Sequence, residues 1–136
     1  MIEVALQIAV KAHERQKDLG GEAYILHPLR VMAKMRSVDE KIVAILHDVV
    51  KNQTVDLIVY GFSAAALKAL DALTRRKNEK YETYIYRLAE NRIARKVKIA
   101  DLEDNMNVAR LFMLTTQDLE RLRKYQTAWV YLVACG

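Results

Sequence analysis

The chain has 136 residues, 52% of them hydrophobic and 29% charged, and a formal net charge of +5. This length predicts a single domain over residues 1–136 with its own core, and no run of about 18 apolar residues indicates a membrane span. One proline and four glycines favour helices with short connections over many strands and turns. The charge permits an anionic partner, although the basic residues are scattered and a solvated basic surface is the simpler interpretation.

The single cysteine, Cys135, can form neither an internal disulfide nor a cysteine metal cluster. We therefore expect a reducing, cytoplasmic setting. We also expect no secretory leader, because the first residues lack its charged and apolar regions. Nucleic-acid binding is not expected, since it would depend on charge alone, without a stacking motif or a concentrated basic stripe.

Apolar residues recur every three or four positions through most of the chain, and residues that cap or break helices separate these stretches. A short helix is expected within 51–60. The longer predicted helices cover about 2–16, 28–36, 40–50, 64–75, 79–91, 93–110 and a last segment that begins near residue 116. The sequence therefore predicts an all-α fold without repeats or linkers.

Several helix starts carry a candidate N-cap. Asp39 is the expected cap of the third helix, Ser63 that of the fourth, and Asp118 or Thr116 that of the last. The third helix is apolar nearly all round, which is typical of a helix at the centre of a core. The last helix is interpreted as a clasp over the bundle, and an exposed apolar face on it would favour a homodimer.

His47 and Asp48 stand together at the end of the apolar run of the third helix. An imidazole nitrogen beside a hard carboxylate oxygen suits Mn, Fe, Zn or Ni. An unpaired Asp48 carboxylate on the most buried helix would be costly, so a metal, a cation or several donors must satisfy it.

Further candidate ligands come from two other predicted helices. His27 stands at the entrance of the second helix, where Pro28 fits the first turn. Asp101 lies on the core-facing stripe of the 93–110 helix, one turn before Asn105. Taken alone, His27 would more often cap or pack, and Asp101 with Asn105 could instead be a buried hydrogen-bond pair between helices. Together with His47 and Asp48 they would form a mixed nitrogen and oxygen site for one divalent metal, with positions left for water and a phosphate oxygen.

An ordered set of motifs carries a resemblance to a known family. The motifs are Ala12-His13-x-x-Gln16, Tyr24-Ile25-Leu26-His27-Pro28, Leu46-His47-Asp48-Val49-Val50, Gly61-Phe62-Ser63, Ala72-Leu73-Thr74-Arg75 and Lys98-Ile99-Ala100-Asp101-x-x-x-Asn105-Met106. With them the chain resembles the HD-domain metal-dependent phosphohydrolases. Within that family it is most similar to the (p)ppGpp hydrolase domains of the Rel/Spo type and their small single-domain relatives. The resemblance covers about residues 5–110.

This resemblance implies a single-domain HD-type helical bundle with a central metal site, which in this branch typically holds manganese. The implied metal ligands are His27, His47, Asp48 and Asp101. The implied substrate contacts are Asn105, Lys17 and Tyr24. The implied reaction is that of the stringent response, in which a metal-assisted water removes the 3′-diphosphate from a guanine alarmone such as ppGpp.

Two departures from the family pattern bear on activity. Lys51 and Asn52 replace the acidic pair that usually positions and deprotonates the attacking water. Lys51 carries the wrong charge for a base at neutral pH, and Asn52 can orient a water but cannot take its proton. Asp18-Leu19 also stand where a basic pair is commonly used against the guanine.

Two functions follow from this pattern. In the first, the chain is a metal-dependent phosphohydrolase of a nucleotide, in which Asn52 orients the water while Lys51 and Asn105 hold phosphate. The alternative is a catalytically impaired HD domain that binds or senses a nucleotide without hydrolysing it, because Lys51 would hold an anion that Glu would repel. The complete ligand set favours the enzyme.

Overall fold

The computed structural model of the protein describes residues 1–49 and 56–136. These residues form seven α-helices, and the one β-type pairing among them is an isolated bridge between Lys17 and Ala23. The helices are α1 (Ile2–Ala12), α2 (Leu26–Ala33), α3 (Val38–Leu46), α4 (Ala64–Ala72), α5 (Tyr81–Leu88), α6 (Arg92–Asn105) and α7 (Thr116–Cys135), with short 3-10 helices at Leu57–Tyr60 and Val108–Arg110. The all-α prediction is confirmed. None of the described helices combines the length and hydropathy that a membrane crossing requires.

Helix α3 lies at the centre of the bundle, where it packs against α1, α2, α4 and α6. Every residue from Ile42 to Leu46 is buried, as the pattern of apolar residues predicts. Burying a side chain such as Ile45 or Leu46 stabilises the fold by roughly 1.5–3 kcal/mol. The C-terminal end of α3 is thereby fixed inside the core, and the residues that follow it begin from a rigid position.

The N-cap of α3 is Ser37, not the predicted Asp39. The Ser37 hydroxyl accepts a hydrogen bond from the backbone N–H of Glu40 (3.1 Å), and the Glu40 carboxylate accepts one from the backbone N–H of Ser37 (3.2 Å). This reciprocal capping box satisfies two donors at once. A cap at Asp39 could not form one, because the residue three positions later is the apolar Ile42. Asp39 instead accepts a hydrogen bond from the hydroxyl of Ser63 (2.8 Å), and Ser63 caps α4 as predicted.

The last helix is also capped earlier than predicted, by Thr115 instead of Thr116 or Asp118. The Thr115 hydroxyl accepts from the N–H of Asp118 (3.1 Å), whose carboxylate accepts from the N–H of Thr115 (2.9 Å). The outer side of this helix exposes Leu119 and Val130. An exposed apolar face on this helix is what a homodimer would require. The homodimer itself stays a prediction.

Helices α1 to α6 all end three to five residues earlier than their apolar periodicity predicts. Helix α1 stops at Ala12 instead of continuing to residue 16, because Arg15 adopts a φ of 65°, in the left-handed region that a helix cannot include. Helix α6 stops at Asn105, and Asn107 then caps the 3-10 helix that follows it. The early end of α1 frees residues 13–25 to form a loop beside the site described below.

Glu40 makes the stability of the fold sensitive to acid. Its carboxylate accepts hydrogen bonds from the N–H groups of Arg36 and Ser37 and from Lys96 Nζ, the last at 2.8 Å. Burial raises the pKa of Glu40, but these donors lower it from 4.5 to about 2. Since the pKa is lower in the folded state, this stabilisation is complete above about pH 4.5 and is lost as the pH falls towards 2.

We therefore expect Glu40→Gln to flatten the decline of the unfolding free energy between about pH 4.5 and pH 2. Urea denaturation at a series of pH values measures this decline. Glu14→Gln, which removes an exposed carboxylate on the first loop, is the control and should leave the slope as in the unaltered chain. An unchanged slope in Glu40→Gln would show that these contacts do not provide the acid-sensitive stabilisation.

Candidate metal centre

Four buried side chains converge where α2, α3 and α6 meet. His27 lies in the first turn of α2, Asp101 lies on α6, and His47 and Asp48 lie in the turn that follows α3. Each residue offers one ligand atom, and these atoms all lie within 4.8 Å of one another. The structure thus brings together the four residues that the sequence predicts as metal ligands. The prediction that His47 and Asp48 lie on the third helix itself is wrong, because α3 ends at Leu46.

The His47 ring is oriented by the end of its own helix. His47 Nδ1 lies 2.5 Å from the carbonyl oxygen of Ala44, and since a carbonyl only accepts, Nδ1 carries the proton. His47 Nε2 faces the centre, 3.2 Å from Asp48 Oδ2 and 3.3 Å from Asp101 Oδ1. This nitrogen is buried and makes no hydrogen bond with any described residue. Apart from these two carboxylates it has no partner among the described residues, and a divalent metal bound between them would satisfy it.

The His27 ring is held on both sides by carboxylates. Its Nδ1 lies 2.6 Å from Asp104 Oδ2, and its Nε2 lies 2.8 Å from Asp101 Oδ1. Like His47, it therefore presents Nε2 to the centre while Nδ1 contacts an acceptor outside it. Two imidazoles with inward Nε2 atoms, beside two carboxylates, form a donor set that fits one divalent transition metal.

Both carboxylates of the set are kept ionised. Burial would raise the pKa of Asp101, but Lys98, whose Nζ lies 2.9 Å from Asp101 Oδ2, and the adjacent histidines hold it well below its usual range. Burial would also raise the pKa of Asp48. The His47 ring and a hydrogen bond from the Tyr24 hydroxyl outweigh this effect and lower the pKa of Asp48. An ionised carboxylate is the form that binds a metal.

The predicted substrate residues lie around this centre. Asn105 Nδ2 donates to Asp101 Oδ1 at 3.0 Å, and the Tyr24 hydroxyl donates to Asp48. Lys17 is exposed and lines the mouth of the pocket. All three therefore border the same space, although the first two also contact the carboxylates. Lys51 and Asn52 lie outside the described residues.

A pocket of about 430 Å³ opens over the centre and is lined by three of its four residues, His27, Asp48 and Asp101. Its lining contains basic side chains from several distant parts of the chain: Lys17, Arg30, Arg75, Lys98, Arg110, Arg121 and Lys124. Tyrosine rings form part of the wall, and Lys124 Nζ lies 4.4 Å from the centroid of the Tyr81 ring. A cavity with cationic walls above a carboxylate and imidazole centre suits a ligand rich in phosphate.

Asp18, which replaces part of the expected basic pair, shapes the edge of this pocket. Its Oδ1 accepts hydrogen bonds from the N–H groups of Gly20 and Glu22, both at 2.9 Å. Gly20 packs so closely on the carbonyl oxygen of Arg110 that a Cβ would lie 2.7 Å from it. The carboxylate therefore fixes a tight loop against the 3-10 helix Val108–Arg110.

Two residues that the sequence does not single out support His27 from outside the centre. Asp104 accepts from His27, and Arg30 donates to both carboxylate oxygens of Asp104, from Nε at 2.8 Å and from Nη2 at 3.1 Å. Their positions carry a signal that could have identified them. Asp104 follows Asp101 by three residues and Arg30 follows His27 by three, so each shares a helix face with a predicted ligand.

The chain is similar to known proteins in sequence and in fold. No family model matches the chain. The chain is 32% identical, over 96% of its length, to the guanosine-3′,5′-bis(diphosphate) 3′-pyrophosphohydrolase of Aquifex aeolicus (strain VF5). It spans only 18% of the length of that curated relative.

A solved structure, from work on a metazoan orthologue of SpoT that hydrolyses ppGpp and plays a role in starvation responses, has a similar fold. The TM-score is 0.76 at 20% sequence identity, and the alignment covers 96% of this chain and 84% of the other. At this identity the likeness shows the fold, and it agrees with the all-helical architecture.

Proposed function

We propose that this chain, which has the all-α HD-domain fold and resembles the Rel/Spo-type (p)ppGpp hydrolase domains, is a metal-dependent phosphohydrolase of a nucleotide. The observation that carries the proposal is the buried convergence of His27, His47, Asp48 and Asp101 within 4.8 Å, beneath a pocket with basic walls. Because the Aquifex aeolicus relative acts on guanosine-3′,5′-bis(diphosphate), we take ppGpp as the candidate substrate and its 3′-diphosphate as the leaving group.

Four side chains would hold the metal: His27 and His47 through Nε2, and Asp48 and Asp101 through carboxylate oxygens. We propose Mn²⁺, which accepts this mixture of imidazole and carboxylate. Such an ion would lower the pKa of an attacking water and offset charge on the reacting phosphate. We also propose a reducing, cytoplasmic setting. The single cysteine of the chain is the argument for it.

Substrate binding falls to the basic walls of the pocket. Arg75 and Lys124 flank the Tyr81 ring at 5.6 and 4.4 Å from its centroid, so their charges lie above an apolar surface on one side of the pocket. Lys17 lines the same pocket. Charge-assisted hydrogen bonds from such groups to phosphate oxygens are stronger than neutral ones. Asn105, beside Asp101, would orient the part of the nucleotide nearest the centre.

Proton transfer from the water is the step at which the sequence departs from its family. We propose that Asn52 orients the water and that Lys51 binds a phosphate. General bases typically contribute about 10²–10⁴-fold to a rate. Without the acidic pair, the chain is therefore expected to be a slow enzyme.

The second candidate function is nucleotide binding without turnover, and the same substitution at Lys51 and Asn52 favours it. A lysine attracts the anion that the family's acidic residue would repel. This function predicts that ppGpp raises the melting temperature while no diphosphate is released. No thermal shift at millimolar nucleotide would count against it.

Release of diphosphate from ppGpp in the presence of Mn²⁺ tests the proposal. The unaltered chain is compared with its Lys51→Glu/Asn52→Asp variant, and His47→Ala serves as the control for a contaminating hydrolase. Release by the unaltered chain would support the enzyme. Release by the double variant alone would favour the binding function. Release by neither would exclude ppGpp as the substrate and direct attention to the pocket edge at Asp18 and Leu19.

A further inference from the structure

Asp104 and Arg30 form an ion pair directly behind His27, on the side away from the centre. The Asp104 side chain is 9% exposed, and its Oδ2 lies 2.6 Å from His27 Nδ1. Arg30 donates to both carboxylate oxygens, at 2.8 and 3.1 Å. Arg110 adds a hydrogen bond from Nη2 to the backbone carbonyl of Asp104 at 2.7 Å. The carboxylate is thus held from several sides while one oxygen faces the imidazole.

The direction of this hydrogen bond fixes what His27 can offer to the centre. An ionised carboxylate only accepts, so the proton between the two residues belongs to Nδ1 of His27. Nε2, which lies 2.8 Å from Asp101 Oδ1, is then the nitrogen whose lone pair a metal at the centre would bind, in place of any proton that it shares with Asp101. An outer partner of this kind selects the tautomer, fixes the ring plane and raises the basicity of a metal-binding histidine.

His47 provides a comparison within the same site. Its Nδ1 donates to the carbonyl of Ala44, a backbone group at the end of α3. That partner is neutral and cannot be altered by substitution. The partner of His27 is a charged side chain from another helix, and Arg30 pins it in a bidentate manner that fixes the plane of the carboxylate. The two histidines therefore share one orientation but obtain it by different means.

We infer that Asp104 is a positioning residue of the metal centre, that it acts through His27, and that Arg30 fixes the orientation of Asp104. This inference rests on the metal site proposed above. It assigns to an ion pair between α2 and α6 a role beyond joining the two helices. The ion pair sets the direction of one ligand lone pair, so its loss weakens metal binding even in a chain that stays folded.

Mn²⁺ affinity, measured by competition with a chelator, tests this role. We expect Asp104→Ala to weaken binding by about 10–100-fold. Asp104→Asn, which retains an acceptor oxygen but loses the charge, should lie between Asp104→Ala and the unaltered chain. Arg30→Ala should cause a smaller loss and should add little to Asp104→Ala, because both act through one histidine.

Glu103→Ala is the matched control. It removes the neighbouring carboxylate of α6, which contacts Lys34 Nζ at 3.3 Å and Trp129 Nε1 at 3.1 Å and none of the four ligands. It should bind Mn²⁺ as the unaltered chain does. Unchanged affinity in a folded Asp104→Ala, or an equal loss in Glu103→Ala, would overturn the inference. If Asp104→Ala does not fold, the two single variants Asp104→Asn and Arg30→Ala take its place. Unchanged Mn²⁺ affinity in both would overturn the inference.

A second measurement does not require bound metal. In the metal-free protein, NMR of the imidazole nitrogens should show a proton on His27 Nδ1 that is protected from exchange with solvent. Glu103→Ala should keep this protection, and Asp104→Ala should lose it. An Nδ1 without a proton in the unaltered chain would overturn the inference whether or not metal binds. A protected Nδ1 proton with no measurable Mn²⁺ binding would support the orientation of His27 by Asp104 and would instead overturn the proposed function.

Discussion

His47→Ala is expected to abolish Mn²⁺ binding and nucleotide turnover together. His47 Nε2 is a buried nitrogen that makes no hydrogen bond with a described residue, and unlike the similarly unbonded Nε2 of His13 it lies between two carboxylate oxygens, at 3.2 and 3.3 Å. Removing an outer partner of a ligand typically costs about 10–100-fold in metal affinity. Removing the ligand itself should therefore cost more than 100-fold.

The rise in melting temperature on adding Mn²⁺ measures this effect, with diphosphate release from ppGpp as the functional test. His13→Ala is the matched control, because His13 is the buried histidine outside the four ligands. Its Nδ1 lies 2.9 Å from Gln16 Oε1, and its Nε2, like that of His47, makes no hydrogen bond with a described residue. The control should keep the thermal shift. A full shift in His47→Ala would show that this residue does not hold the metal.

Asp101→Ala is expected to destabilise the metal-free protein by about 3–5 kcal/mol, the usual consequence of leaving one member of a buried ion pair alone. Lys98 Nζ lies 2.9 Å from Asp101 Oδ2, and the two side chains are only 10% and 5% exposed. Without Asp101, the Lys98 ammonium keeps its burial but loses its counter-charge. Adding Lys98→Met to Asp101→Ala should recover much of the loss, because no buried ammonium then remains.

Urea unfolding in the presence of a chelator measures this prediction without interference from metal. The unaltered chain, the two single variants and the double variant form a cycle that isolates the coupling between Lys98 and Asp101. If the double variant is as unstable as Asp101→Ala, the lost free energy of unfolding comes from other contacts of Asp101. The histidines and Asn105, which also contact this carboxylate, would then be the groups to examine.

The four central residues could be predicted from the sequence because their identity and order are distinctive. His27, His47, Asp48 and Asp101 all stand at the edge of apolar stretches, where a polar group has few other uses. The end of α3 before His47 was harder to predict, because apolar periodicity continues past it. The His47 side chain bonds the Ala44 carbonyl, one of the last four carbonyls of the helix, which have no partner within it.

Asp104 and Arg30 were missed for a different physical reason. Their interaction depends on how α2 packs against α6, and periodicity within either helix does not specify that packing. The basic lining of the pocket shows the same limit. Lys17, Arg75 and Lys124 are scattered along the sequence and suggest a solvated surface, yet the fold gathers them around one cavity.

The hydrogen bond between Trp129 and Glu103 has a practical consequence. Trp129 is the one tryptophan of the chain, and its indole joins α7 to α6 beside Asp104. Tryptophan fluorescence, excited at wavelengths that the seven tyrosines do not absorb, therefore comes from a single emitter at the junction of the pocket wall and the ligand-bearing helix. A shift of α6 against α7 when metal or nucleotide binds would change this emission, so the rates of both binding steps can be followed by stopped flow in unlabelled protein.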